Sequence, residues 1–206
     1  MSLKSHWERI YSGKQSSELS WHQAIPKVSL DFLKELEIPK SASIIDVGGG
    51  ESHFVDLLLK MGYTDITILD ISETAIDHLK KRLGESAEMV KWINSDITKL
   101  SLDKKFDFWH DRATFHFLTS EVEADQYLSV AEKHISENGK MLIGTFSTSG
   151  PEKCSGLRVK QYSAASLTRL LKKWFEKIKC ISVNHETPFN TIQNFLFCSF
   201  KKIKIQ

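Results

Sequence analysis

Asp46-Val-Gly-Gly-Gly-Glu-Ser52 follows a short apolar run, Ser43–Val47, and precedes a stretch carrying Phe54, Val55, Leu58 and Leu59 at helical spacing. Glycines at such a strand-to-helix junction remove Cβ atoms, so backbone N–H groups are expected to approach a ligand at the helix N-terminus. Asp70 ends the next apolar run, 70 − 50 = 20 residues after Gly50, the interval at which a carboxylate accepts hydrogen bonds from ribose hydroxyls. Asp96, in Asn94-Ser-Asp-Ile-Thr98, follows a third run, where a carboxylate accepts from an exocyclic amine such as that of adenine. Together these positions predict a nucleoside cofactor. Each has a plainer reading too: tight packing at the glycines, a helix cap at Asp70, an Asx turn at Asp96.

The elements that must hold these residues follow from periodicity. Ser43–Val47, Ile66–Leu69, Met89–Ile93, Phe106–Trp109 and Lys140–Phe146 read as strands, separated by helical patterns or crossovers. Ser120 with Glu123 forms a capping box before the helix carrying Tyr127, Leu128 and Ala131. This alternation predicts a parallel sheet covered on both faces, with ligands at the carboxyl ends of its strands. Ile178–Val183 and Asn194–Phe200 follow one another without a helix between them and are expected to pair antiparallel. Before the first strand, residues 1–39 supply an aromatic arm with Trp7, Tyr11 and Trp21 and a leading helix with Phe32 and Leu33; residues 40–206 form the single domain.

A dinucleotide fingerprint wants a third glycine where this chain has His53, and no pyrophosphate site is evident, which counts against an NAD-dependent oxidoreductase. The order of motifs over residues 40–200 instead resembles the class I S-adenosylmethionine-dependent methyltransferases. The resemblance lies in Ile45-Asp-Val-Gly-Gly-Gly50, Leu69-Asp-Ile-Ser72, Ser95-Asp-Ile97, Phe106-Asp-Phe-Trp-His-Asp111 and Asn138-Gly-Lys-Met-Leu-Ile143. Ser52 stands where the family's common third glycine falls.

The resemblance implies a doubly wound, Rossmann-like α/β fold whose mostly parallel seven-stranded sheet has an antiparallel C-terminal strand. It implies S-adenosylmethionine as cofactor and S-adenosylhomocysteine as product. Gly48, Gly49 and Gly50 would pack against the methionine part with Asp46 near its ammonium. Asp70 and Ile71 would hold the ribose, Asp96 and Ile97 the adenine, and His110 and Trp21 would complete the cofactor site. In the family, the segment after the fourth strand lines the channel to the acceptor. His116 is therefore expected as base or acceptor-orienting group with Asp111 beside it, against the plainer reading of a hydrogen-bonded core histidine. The acceptor expected is a small molecule, with a protein side chain such as lysine as the alternative; a non-catalytic cofactor-binding protein would tolerate loss of His116 and Asp111.

Composition bounds these readings. The chain has 206 residues, near the size of one domain, and a net charge of 28 − 26 = +2, too small an excess to imply nucleic acid or anionic lipid as partner. No apolar stretch is long enough to span a bilayer, and the first residues lack a signal-peptide core. Cys154, Cys180 and Cys198 are scattered, without metal-ligand spacing, and read as reduced thiols of a cytoplasmic protein that holds no metal. Oligomeric state is left open.

Overall fold

Apolar runs rich in β-branched and aromatic residues form the parallel strands β1 (Ser43–Val47), β2 (Asp65–Asp70), β3 (Val90–Asn94), β4 (Phe106–Arg112) and β5 (Ile135–Phe146). The computed structural model describes residues 2–203, so the last three residues assigned to the domain lie outside the described part. A two-residue ribbon, β6 (Lys153–Cys154) and β7 (Leu157–Arg158), follows β5. The long hairpin β8 (Phe175–Glu186) and β9 (Ile192–Lys202) completes a seven-stranded sheet of order β3-β2-β1-β4-β5-β9-β8. β9 runs antiparallel to both of its neighbours, β5 and β8.

The helices are α1 (Leu3–Gly13), α2 (Lys27–Glu35), α3 (Phe54–Lys60), α4 (Glu73–Leu83), α5 (Glu121–His134) and α6 (Ala164–Leu171). Their starts are set by side chains: Ser72 caps α4, Ser120 with Glu123 closes the capping box of α5, and Ser163 caps α6. One face of the sheet is covered by Phe32, Leu33, Phe54 and Leu58 of α2 and α3, the other by Tyr127, Leu128, Leu167 and Leu171 of α5 and α6. Apolar burial on both faces explains why strand positions alternate between two cores.

The structure departs from the sequence reading in three places. Residues 3–13 form a helix; its Leu3, Trp7 and Tyr11 recur every four residues, and Ser2 caps it. β5 starts at Ile135 rather than after the Asn138-Gly139 turn, because that turn is absorbed as a bulge: Phe106 pairs with Ile135 and Phe108 with Lys140, so five steps of β5 match two of β4. Third, the expectation of three reduced thiols is corrected, because Cys180 and Cys198 are joined by a disulfide. The register of β8 on β9 sets these two directly opposite each other with Cα atoms 4.1 Å apart. Cys154 is a buried free thiol. Among the described residues, no helix is long and apolar enough to cross a membrane.

Candidate active site

Strand order reverses between β1 and β4, and there a cleft opens at the carboxyl ends of the parallel strands. It encloses about 930 Å³, its open mouth included. Asp46, Gly48, Gly49, Asp70, Ile71, Asp96, Ile97, His110 and Trp21 all line it, so residues from four strands and the arm converge as the motif order implied. Gly50 stands just behind, its N–H donating to Asp70 Oδ2 at 2.8 Å.

The glycine turn works differently from the expectation that its N–H groups face the ligand. Gly48 and Gly49 both donate to Leu69 O, at 2.7 and 3.2 Å, and Gly50 donates to Asp70. With its donors engaged, the turn offers bare Cα surface. Gly48 has φ +64, and a Cβ there would lie 1.7 Å from Thr114 Oγ1, so no larger residue fits this crossing.

Asp70 accepts from Gly50 through Oδ2 and from Ser72 N–H through Oδ1, at 2.8 Å each, and every oxygen keeps a lone pair for a further donor. Burial pushes its carboxyl up to about 6 against the pull of those N–H groups. Asp46 is held by His110, whose Nδ1–H donates to Oδ1 at 2.6 Å, while Ser29 Oγ lies 2.8 Å from the ring's Nε2. The other oxygen, Oδ2, is buried without a partner. Asp96 closes the Asx turn of its plainer reading, its Oδ1 accepting from Thr98 N–H and Oγ1, and it lines the cleft as well.

The helix α1 closes one side of the cleft with Leu3, Trp7 and Tyr11. Sequence reasoning missed the residue that seats it. Glu8 reaches the N-terminus of α4, where Ser72 Oγ and the N–H groups of Glu73 and Thr74 donate to it at 2.9, 2.8 and 3.2 Å. Burial acts to raise this carboxyl, but hydrogen bonds from Thr74, Glu73 and Ser72 outweigh it and hold the group below its ordinary value. The sign follows: the contact is complete above the usual carboxylate range and is lost as pH falls through the lowered value. Glu8→Ala is expected to release α1, read as faster hydrogen exchange over residues 3–13 with the strands unchanged. Unchanged protection of α1 would refute this anchoring.

His116 and Asp111 are placed elsewhere. His116 is 0% exposed and packs on Phe117 and Phe146 at 4.6 Å, its Nδ1 accepting from Phe146 N–H at 3.3 Å. Burial, helped by the charge of Arg112, pushes it down to about 3, so the ring is neutral. Asp111 is buried against Tyr127 on the opposite face of β4 from His110. Neither lines the cleft; Arg112, Thr114, Phe117 and Cys154 do.

A family model described as a methyltransferase domain matches residues 44–139. The chain is 22% identical over 182 residues to an eEF1A lysine and N-terminal methyltransferase of Danio rerio, covering 88% of this chain and 25% of that protein. It is 28% identical over 126 residues to a malonyl-[acyl-carrier protein] O-methyltransferase of Priestia megaterium, covering 61% of this chain and 42% of the other. The Burkholderia thailandensis 1,6-didemethyltoxoflavin-N1-methyltransferase, solved with S-adenosylhomocysteine, shares the fold with a TM-score of 0.73 at 18% identity, over 98% of this chain and 88% of that one. The methyltransferase-domain match covers 96 of the 206 residues, and the chain shares the fold of the solved methyltransferase. It spans about a quarter of the length of the first of these relatives.

The matched segment contains the glycine turn and all three cleft aspartates. The donor and acceptor set fits the family's cofactor on two observations. Asp46 Oδ2 is a buried acceptor lacking a donor, and Asp70 retains lone pairs beside the glycine turn.

Proposed function

We propose that this chain binds S-adenosylmethionine in the cleft and transfers its methyl group to a small-molecule acceptor, releasing S-adenosylhomocysteine. The observation that carries this reading is the convergence of Asp46, Asp70 and Asp96, from three neighbouring strands, on one cavity. The cofactor supplies an electrophilic methyl on a sulfonium. Asp46 Oδ2 would accept from its ammonium, Asp70 from its ribose hydroxyls, and Asp96 from the exocyclic amine of its adenine, with the Ile97 backbone beside the base. Calorimetric titration tests this directly: S-adenosylhomocysteine is expected to bind and NAD not to. The reverse outcome would replace the reading with a dinucleotide enzyme.

Within residues 1–39 the aromatic arm acts as the lid: Trp7, Tyr11 and Trp21 exclude water from the sulfonium, and their faces favour its positive charge. A protein side chain such as lysine is the second reading, supported by the name of the Danio rerio relative. A screen of thiols, amines, carboxylates and peptides separates the two. A cytoplasmic location also belongs to this proposal. It requires the Cys180–Cys198 bond to be open in a reducing compartment, which thiol counting on protein taken from cytosol would check.

His116 and Asp111 hold the segment after β4 in place rather than touching the reacting atoms. For His116→Ala the expected result is a loss of about 2–4 kcal/mol of stability from the emptied aromatic pocket. The pH dependence of turnover is expected to stay unchanged. A variant of normal stability that has lost a pH-dependent limb of turnover would restore the base assignment.

A further inference from the structure

The cofactor anchors Asp46, Asp70 and Asp96 stand on or after β1, β2 and β3, whereas Arg112 stands at the end of β4 and leans the other way. Its guanidinium lies 5.9 Å from the ring centroid of Phe195 on β9, and its Nη2 donates to Trp21 O at 2.6 Å. That is its one hydrogen bond among the described residues, and no carboxylate there pairs with it. Asp46 is the carboxylate whose charge reaches it; Asp46 is hydrogen-bonded to His110 through Oδ1, and its Oδ2 is the oxygen assigned above to the cofactor's ammonium. A half-buried guanidinium with four N–H donors to spare, facing a cleft, is electrostatically incomplete.

Among the described residues that line the cleft beside Arg112, His110 and Cys154 are the groups other than the cofactor anchors that could take a proton. Both ring nitrogens of His110 are engaged. Burial raises the Cys154 thiol to about 11 and keeps it protonated. His116 faces the aromatic core. A protonated amine would need a base here and would be repelled by Arg112.

We propose that the acceptor's methyl-receiving group is a carboxylate and that Arg112 receives it. This rests on the S-adenosylmethionine reading above. One carboxylate oxygen contributes the electron pair of the new O–CH3 bond. The S–CH3 bond breaks with its pair staying on sulfur, and the products are a neutral methyl ester and S-adenosylhomocysteine. No proton is released, so the missing base is not needed. Trp21 and Phe117, which line the cleft with Arg112, suit an acceptor whose carboxylate is attached to an apolar or aromatic body.

The test is calorimetric, on the whole 206-residue chain saturated with S-adenosylhomocysteine, using benzoate and benzylamine as probes. Benzoate is expected to bind the wild type and benzylamine not to. Arg112→Gln is expected to weaken benzoate at least tenfold while leaving S-adenosylhomocysteine within about twofold. Arg112→Lys, which keeps the charge without the planar fork, is expected to lose less. The proposal is overturned if the wild type ignores benzoate, if Arg112→Gln binds it equally well, or if benzylamine binds instead. It is also overturned if Arg112→Gln loses S-adenosylhomocysteine, which would assign the guanidinium to the cofactor's own carboxylate. Failure of the wild type to bind S-adenosylhomocysteine would strike the underlying reading first and this proposal with it.

Discussion

Asp111→Ala is expected to destabilise the protein by about 3–4 kcal/mol, because three donors, two of them buried, lose their acceptor at once. Asp111 Oδ1 accepts from the N–H groups of Thr114 and Phe115 at 3.0 and 3.2 Å, and Oδ2 from Tyr127 Oη at 2.8 Å. Tyr127 Oη in turn accepts from Trp109 Nε1 at 2.8 Å. This network fixes the turn after β4, where Ala113 has φ +73 and Thr114 crosses Gly48. Thermal unfolding should register the change as a fall of about 6–16 °C. Asp111→Asn, which keeps an acceptor oxygen, should fall less.

The pH dependence has a definite sign. Burial pushes the Asp111 carboxyl up to about 6, so the folded state holds the proton more tightly than the unfolded chain does. Its burial therefore weighs against folding above pH 6, and that cost is relieved as pH falls from 6 towards the ordinary carboxylate range. The stability gap between wild type and Asp111→Asn should widen between pH 7 and 5. A constant gap would contradict the raised carboxyl.

Asp70→Ala is expected to weaken S-adenosylhomocysteine binding by about 1.5–3 kcal/mol, roughly ten- to hundredfold, through the loss of a charge-assisted hydrogen bond. Stability should fall as well, since the N–H groups of Gly50 and Ser72 are left without an acceptor. With the carboxyl near 6, acidification below that value protonates it and leaves a poorer acceptor. Wild-type affinity should therefore drop below pH 6, and Asp70→Asn should lack that drop. Unchanged affinity in Asp70→Ala, or parallel pH profiles, would remove Asp70 from the ribose.

Much of this site was legible before any coordinates. Gly48, Asp70 and Asp96 announce themselves because strand ends, a missing Cβ and a carboxylate at a fixed interval are properties of chain-local spacing, and parallel strands bring their carboxyl ends to one edge. His116 and Asp111 show where that reasoning stops. Period-two alternation along β4 puts His110 and Arg112 on one face and Trp109 and Asp111 on the other, but the alternation does not say which face overlooks the cleft. Arg112 lay in plain view within the His110-Asp-Arg-Ala113 segment. Its meaning came only from its place in the cleft, where among the described residues it makes one hydrogen bond and no ion-pair contact.

The linear pattern by itself determined the alternation of helices and strands, the helix cap at Ser120, and the three strand-end aspartates, because each depends on residues close in the chain. Only the tertiary structure decided that Glu8 locks α1 onto α4, that Cys180 meets Cys198, and that Arg112 faces the cleft without an ion pair among the described residues. Those contacts depend on strand register and on packing between elements distant along the chain. No local periodicity encodes them.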